Sequence, residues 1–161
     1  MTPPPFVLKV ALQVLLDLAV SGAKALNKLN KDAREKLIRV YRETIRNKKA
    51  LEVSGCLNTP RLNRDEEAFI SVVKVLSNTE LAPLFKINKR GMFYPDTKKK
   101  VKQRKTQYAI NYVVTQIDVL KDLIQVKRNK NAPALRLGIR LNTLYKHLST
   151  LEKVLYHLGK K

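Results

Sequence analysis

Two side chains that could take part in acid–base chemistry or anion binding lie seven residues apart near the carboxyl end of the sequence. Arg140 and His147 fall on one side of a predicted helix, because seven residues make close to two helical turns. A histidine can transfer a proton near neutral pH, and an arginine can bind an anionic group. The plainer interpretation, which we adopt, is that both residues lie on a solvated helix face.

The sequence lacks the other common catalytic and metal-binding arrangements. Its two histidines, His147 and His157, show neither His-x-x-x-His nor Glu-x-x-His spacing, and no serine sits in a nucleophile elbow. Cys56 is the only cysteine, which excludes an internal disulfide and a cysteine-based zinc site. No sequence pattern indicates a general base for the Cys56 thiol, so we interpret this residue as structural. The sequence therefore predicts a protein that is not an enzyme and needs no cofactor or metal.

Basic residues dominate the charge of the chain. Its 161 residues include 33 Lys and Arg against 13 Asp and Glu, a net charge of +20. A charge of this size repels itself, and a polyanionic partner is the common reason for it. Only five glycines are present, which argues against a Gly-rich phosphate loop and a turn-dense β-sandwich.

The positive charge is concentrated in two places. Residues 84–107 hold nine Lys and Arg against one acid, and residues 31–55 hold eight against four. We call the six cations of residues 98–105 the basic segment, and the four outward cations of the second predicted helix the arginine strip. Phosphates would relieve the repulsion among such like charges at helical spacing. Together with two loop cations, the candidate nucleic-acid-binding residues are Arg39, Arg42, Arg46, Lys49, Lys89, Arg90, Lys98, Lys99, Lys100, Lys102, Arg104 and Lys105.

Aromatic residues lie close to the basic segment along the chain. Phe93, Tyr94 and Tyr108 could stack on unpaired bases, although core packing is an equal alternative for Tyr108. No zinc-finger spacing, RNA-recognition aromatic signature or helix-turn-helix pair is present. We therefore expect contacts to the backbone of single-stranded DNA or RNA, or of a duplex, with little base specificity.

Hydrophobic periodicity predicts an all-α fold: a single compact helical bundle, spanning residues 1–161 as one domain. It favours four long helices, one or two short ones and no strand. The predicted helices run over about 6–26, 32–53 and 97–127, with a shorter one capped by Asn63 and a last one that starts at Pro133. The clearest core signal is a leucine series at alternating spacings of four and three: Leu137, Leu141, Leu144, Leu148, Leu151, Leu155 and Leu158.

The first predicted helix is apolar enough to raise the question of a membrane. Lys9, Gln13, Asp17 and Ser21 interrupt it at every fourth residue and so line one face. A spanning helix would face lipid on all sides, where an acidic residue costs several kcal/mol. We therefore predict a core helix with a narrow wet stripe, and a soluble, cytoplasmic protein without a membrane partner.

The size, helix content and basic charge of the whole chain resemble the small subunit of CRISPR effector complexes of types I and III. That resemblance implies a non-catalytic helical bundle in an antiviral ribonucleoprotein complex. Several copies would line the complex and support the guide–target duplex or the displaced DNA strand. Its partners would be nucleic acid, other subunits and copies of itself.

Two alternatives from other classes remain open. The stretch from Arg140 to His147 (RLNTLYKH) resembles the Arg-x(4–6)-His motif of HEPN-type ribonucleases, although Leu141 stands where that motif usually has a polar residue. This resemblance implies that His147 transfers the proton and Arg140 holds the phosphate. The third possibility is a basic helical adaptor that binds an acidic protein.

Overall fold

The computed structural model describes residues 3–59, 61–62, 64, 66–87, 97–125 and 136–159. These residues form five α-helices: α1 (Pro5–Ser21), α2 (Lys31–Val53), α3 (Glu67–Val75), α4 (Lys98–Gln125) and α5 (Leu137–Leu155). Short 3-10 segments occupy Gly22–Lys28, Ala82–Leu84 and Tyr156–Gly159. No strand occurs in these ranges, so the prediction of an all-α bundle with four long helices is confirmed.

The four long helices pack as a flattened bundle. α1 and α5 contact each other and both of the remaining long helices, whereas α2 and α4 pack on α1 and α5 rather than on each other. α1 and α5 therefore share the short diagonal of the bundle, and α2 and α4 occupy its two far corners. The core is built as the leucine series predicts, because all seven of its members are buried.

α1 packs against α2, α4 and α5, and five of its apolar side chains are buried. By length and composition alone, Pro5–Lys28 could also cross a membrane, a test that core helices of soluble proteins pass as well. The prediction that Asp17 lies on a solvent-exposed stripe is wrong, because only 7% of Asp17 is exposed. Its carboxylate accepts hydrogen bonds from Lys28 Nζ at 3.3 Å and from Gln103 Nε2 at 3.2 Å, which replace its lost hydration.

α2 buries polar residues that its periodicity did not indicate. Glu43 accepts hydrogen bonds from the backbone N–H groups of Glu80 at 3.0 Å and Leu81 at 3.1 Å. Asn47 donates to Ser77 O at 2.7 Å and accepts from Ser77 N at 2.9 Å. Lys36 is buried as well. Ile45, although apolar, is 36% exposed.

These polar residues hold the connecting segment, residues 76–87, which follows α3. On its other side the same segment is bound by α4, where Asn78 Nδ2 donates to Val114 O at 2.9 Å. Asn111 of α4 is half-buried beside this segment, where it accepts a hydrogen bond from Lys86 N at 3.1 Å and donates one to Lys86 O at 2.7 Å. The connecting segment thus links the two far corners of the bundle.

Several predicted helix boundaries need correction. The first helix ends at Ser21 and continues as a 3-10 segment, rather than as α-helix to residue 26. α3 begins at Glu67, and its N-cap residue, Glu66, lies three positions beyond the predicted cap. The residues Asn63 and Pro133, proposed to start two helices, lie outside the described residues, and α5 begins at Leu137.

Candidate nucleic-acid interface

The basic segment occupies the first two turns of α4, and its six side chains are exposed. No acidic residue lies in this first turn. Within the described part of the chain, five of the six form no ion pair: Lys98, Lys99, Lys102, Arg104 and Lys105. The positive end of the α4 dipole adds to their charge. This end of α4 is therefore a strongly electropositive surface.

The arginine strip lies along the outer face of α2. Arg42, Arg46 and Lys49 are exposed and, among the described residues, form no ion pair. Arg39 differs, because its Nε lies 3.3 Å from Glu80 Oε2. Part of the Arg39 charge is thus already neutralised by the protein.

Glu80 also accepts a hydrogen bond from the buried Lys36, whose Nζ lies 2.9 Å from Glu80 Oε1. Partial burial alone would raise the pKa of Glu80. The hydrogen bond and charge of Lys36, together with Arg39, outweigh this and hold the pKa of Glu80 below its ordinary value. Glu80 is therefore ionised at neutral pH and forms ion pairs with two cations of α2, Lys36 and Arg39.

A cleft of about 500 Å³ lies between α4 and α5. Its volume is within the range of about 300–1,000 Å³ that is usual for small-molecule sites. Among the described residues that line it, three are cations and none is acidic: Arg104, Lys105, Gln107, Tyr108, Asn111, Lys146, His147 and Thr150. The cleft opens beside the basic segment, since Arg104 and Lys105 belong to both.

Three aromatic rings meet at this cleft. The ring of Tyr112 lies 4.5 Å from the ring of His147, and Tyr108 lies 5.4 Å from His147 and 6.4 Å from Tyr112, measured between centroids. Burial and the neighbouring Lys146 charge lower the pKa of His147, so its imidazole is neutral at pH 7. Burial raises the pKa of Tyr112, although a Thr143 hydrogen bond and Arg140 oppose this shift. Tyr108 is the exposed member of the group, with 60% of its surface accessible.

The two residues of the ribonuclease alternative are not both part of this cleft. His147 lines it, but Arg140 does not, and Arg140 lies near Tyr112. Sequence reasoning singled out Tyr108 and His147 for separate reasons and missed Lys146, Gln107 and Thr150. The spacing of Tyr108 and Tyr112, one helical turn apart on α4, was a signal that could have indicated an aromatic patch there, but not its contact with His147.

The two predicted binding regions are not brought together. The arginine strip lies on α2 and the basic segment on α4, at opposite far corners of the bundle. The remaining candidates, Lys89 and Arg90, and the aromatic residues Phe93 and Tyr94 lie outside the described residues.

The described residues contain no group of three or more metal-binding side chains. Cys56 is buried. Comparison with known protein families, with characterised proteins and with solved structures finds no match for the chain.

Proposed function

We propose that this protein is a non-catalytic nucleic-acid-binding subunit that holds phosphate backbones without sequence specificity. The observation that carries the proposal is the grouping of exposed cations, without ion-pair partners among the described residues, at the start of α4 and along its cleft with α5. Phosphates would release condensed counterions when they bind such a surface, which favours association.

We propose further that the protein works in a cytoplasmic ribonucleoprotein effector of the CRISPR kind. Its chain length, its all-α bundle and its net charge of +20 are the features that resemble the small subunits of those complexes. In this role the protein holds the guide–target duplex or the displaced strand, while neighbouring subunits and further copies of the chain complete the binding channel.

The proposal is tested by neutralising the basic segment. Fluorescence anisotropy of labelled single-stranded DNA and RNA is measured from about 50 to 200 mM salt, with the parent chain and a variant. The variant carries Lys→Gln at four positions: Lys98, Lys99, Lys102 and Lys105. Each lost phosphate contact reduces the salt slope by about 0.7, so four contacts reduce it by about 3.

A matched control removes four exposed lysines elsewhere, on α1, the 3-10 segment that follows it, α3 and α5: Lys9, Lys24, Lys74 and Lys153. The control has the same net charge as the test variant and keeps most of the parent affinity and slope. Equal losses in both variants would mean that the total charge matters, and not the basic segment. A flat salt response of the parent, or a preference for one sequence over its scrambled version, would refute backbone binding.

The ribonuclease alternative has its own test. The position of His147 in the cleft, with a neutral imidazole, is the observation that favours it. We expect carefully purified protein to cleave RNA no faster than background, with or without His147→Ala. Cleavage that disappears in this variant would overturn the non-catalytic proposal.

A further inference from the structure

We infer that the cleft between α4 and α5 takes one unpaired base of a bound single strand, with the flanking phosphates held by the cations at its rim. The inference rests on the proposed function, because it assigns a base-binding place within the same nucleic-acid interface. Insertion of a base would add a stacking contact to an interface that otherwise contacts only the phosphates.

The rim of the cleft fits phosphates. Arg104, Lys105 and Lys146 are all exposed, and in the described ranges none of them has a carboxylate partner. The first two lie on α4 and the third on α5, so the cations stand on both sides of the opening. A strand that crosses the cleft therefore meets a cation before and after the base that enters it.

The aromatic group fits the face of a base. Tyr108 is 60% exposed, and its ring lies 5.4 Å from the ring of His147 and 6.4 Å from the ring of Tyr112. The aromatic group therefore presents an accessible ring at the cleft, and such a ring can stack on a base. The neutral imidazole beneath it adds no charge that would need hydration.

The polar wall of the cleft is fixed by the connecting segment. Gln107 Nε2 donates to Leu84 O at 3.1 Å and to Asn111 Oδ1 at 2.9 Å, and Asn111 is bound in turn to Lys86. These hydrogen bonds hold the Gln107 and Asn111 side chains in fixed positions along the cleft.

The experiment compares two polymers of equal charge on the full chain. One is a labelled oligomer of about twelve thymidines, which stack weakly on each other, and the other is an abasic deoxyribose-phosphate oligomer of the same length. We expect the parent to bind the thymidine oligomer about tenfold more tightly than the abasic one. Tyr108→Ala weakens binding of the thymidine oligomer about tenfold and leaves both abasic binding and the salt slope unchanged.

Two further variants separate stacking from folding. Tyr108→Phe keeps the stacking face and retains parent affinity, while Tyr156→Ala removes an exposed tyrosine outside the cleft and has no effect on binding. Circular dichroism melting checks that each variant folds. If Tyr108→Ala unfolds the protein, the parent's preference for bases over the abasic polymer still decides the inference.

The outcomes distinguish this inference from the proposed function. Equal affinity of the parent for both polymers overturns base insertion and leaves backbone binding intact. Failure to bind either polymer overturns both. Thymidine monophosphate that binds as tightly as the oligomer would show a site for free nucleotides, and it too would overturn the inference.

Discussion

Replacing Glu80 by glutamine removes the negative charge that faces the buried ammonium of Lys36. The side chain of Lys36 is 1% exposed, and that of Glu80 is 26% exposed. Removing one partner of a fully buried ion pair costs about 3–5 kcal/mol, because the other charge stays buried and unpaired. Glutamine keeps an acceptor oxygen and Glu80 is partly hydrated, so we expect a loss of about 2–3 kcal/mol of unfolding free energy. For a chain of this size, that lowers Tm by roughly 4–12 °C.

The assay is urea unfolding followed by circular dichroism, with Lys36→Met as the matched variant. Methionine fills the buried space without a charge, and Glu80 can still pair with Arg39. We therefore expect Lys36→Met to change the unfolding free energy by less than about 1 kcal/mol. The double variant recovers most of the loss. A Glu80→Gln loss below about 0.5 kcal/mol, or a larger loss in Lys36→Met, would refute the reasoning.

The ion pair of Lys36 and Glu80 also determines how the destabilisation by Glu80→Gln depends on pH. Because the pKa of Glu80 is below its ordinary value of 4.5 in the folded chain, its stabilising contribution is present above that value. The contribution is lost as the pH falls through the lower folded pKa. The stability difference between the parent and Glu80→Gln should therefore shrink in acid.

Two further predictions concern the candidate interface. The pKa of His147 is lower in the folded chain than its ordinary value of 6.5. As the pH falls through 6.5, the unfolded chain therefore binds a proton at His147 more readily than the folded chain does, and the free energy of unfolding decreases. His147→Gln should flatten this fall between about pH 7.5 and 5.5, and urea midpoints that keep the parent's slope would contradict it. Arg39→Gln should weaken single-strand binding less than Arg42→Gln, because Glu80 already neutralises part of the Arg39 charge. Anisotropy titrations that give equal losses would contradict this.

The core could be predicted from the sequence because its signals are local. The leucine series of α5 and the buried face of α3 repeat at helical spacing, and a helix places such residues on one side whatever its neighbours are. The burial of Lys36, Glu43 and Asn47 could not be predicted in this way. Their partners lie 30 to 44 residues further along the chain, in a segment without a periodic pattern.

In the candidate site, too, the local feature could be predicted from the sequence and the tertiary one could not. The basic segment is a run of neighbouring residues, so its position and exposure follow from the sequence. The cleft depends on which face of α5 meets α4, and that is decided by packing across the bundle. Tyr108 and His147 are about 40 residues apart in the chain, and nothing local to either indicates that their rings meet.

The placement of α2 and α4 at opposite far corners makes their charges electrostatically independent. Neighbouring helix axes lie about 8–10 Å apart, so the long diagonal of the flattened bundle is roughly 16 Å between axes, and more between side-chain tips. This exceeds the Debye length of about 8 Å at physiological ionic strength. The net charge of +20 therefore does not act on a ligand as one field. Under the proposed function, a phosphate strand bound to the basic segment would therefore leave the charge of the arginine strip available for a second contact.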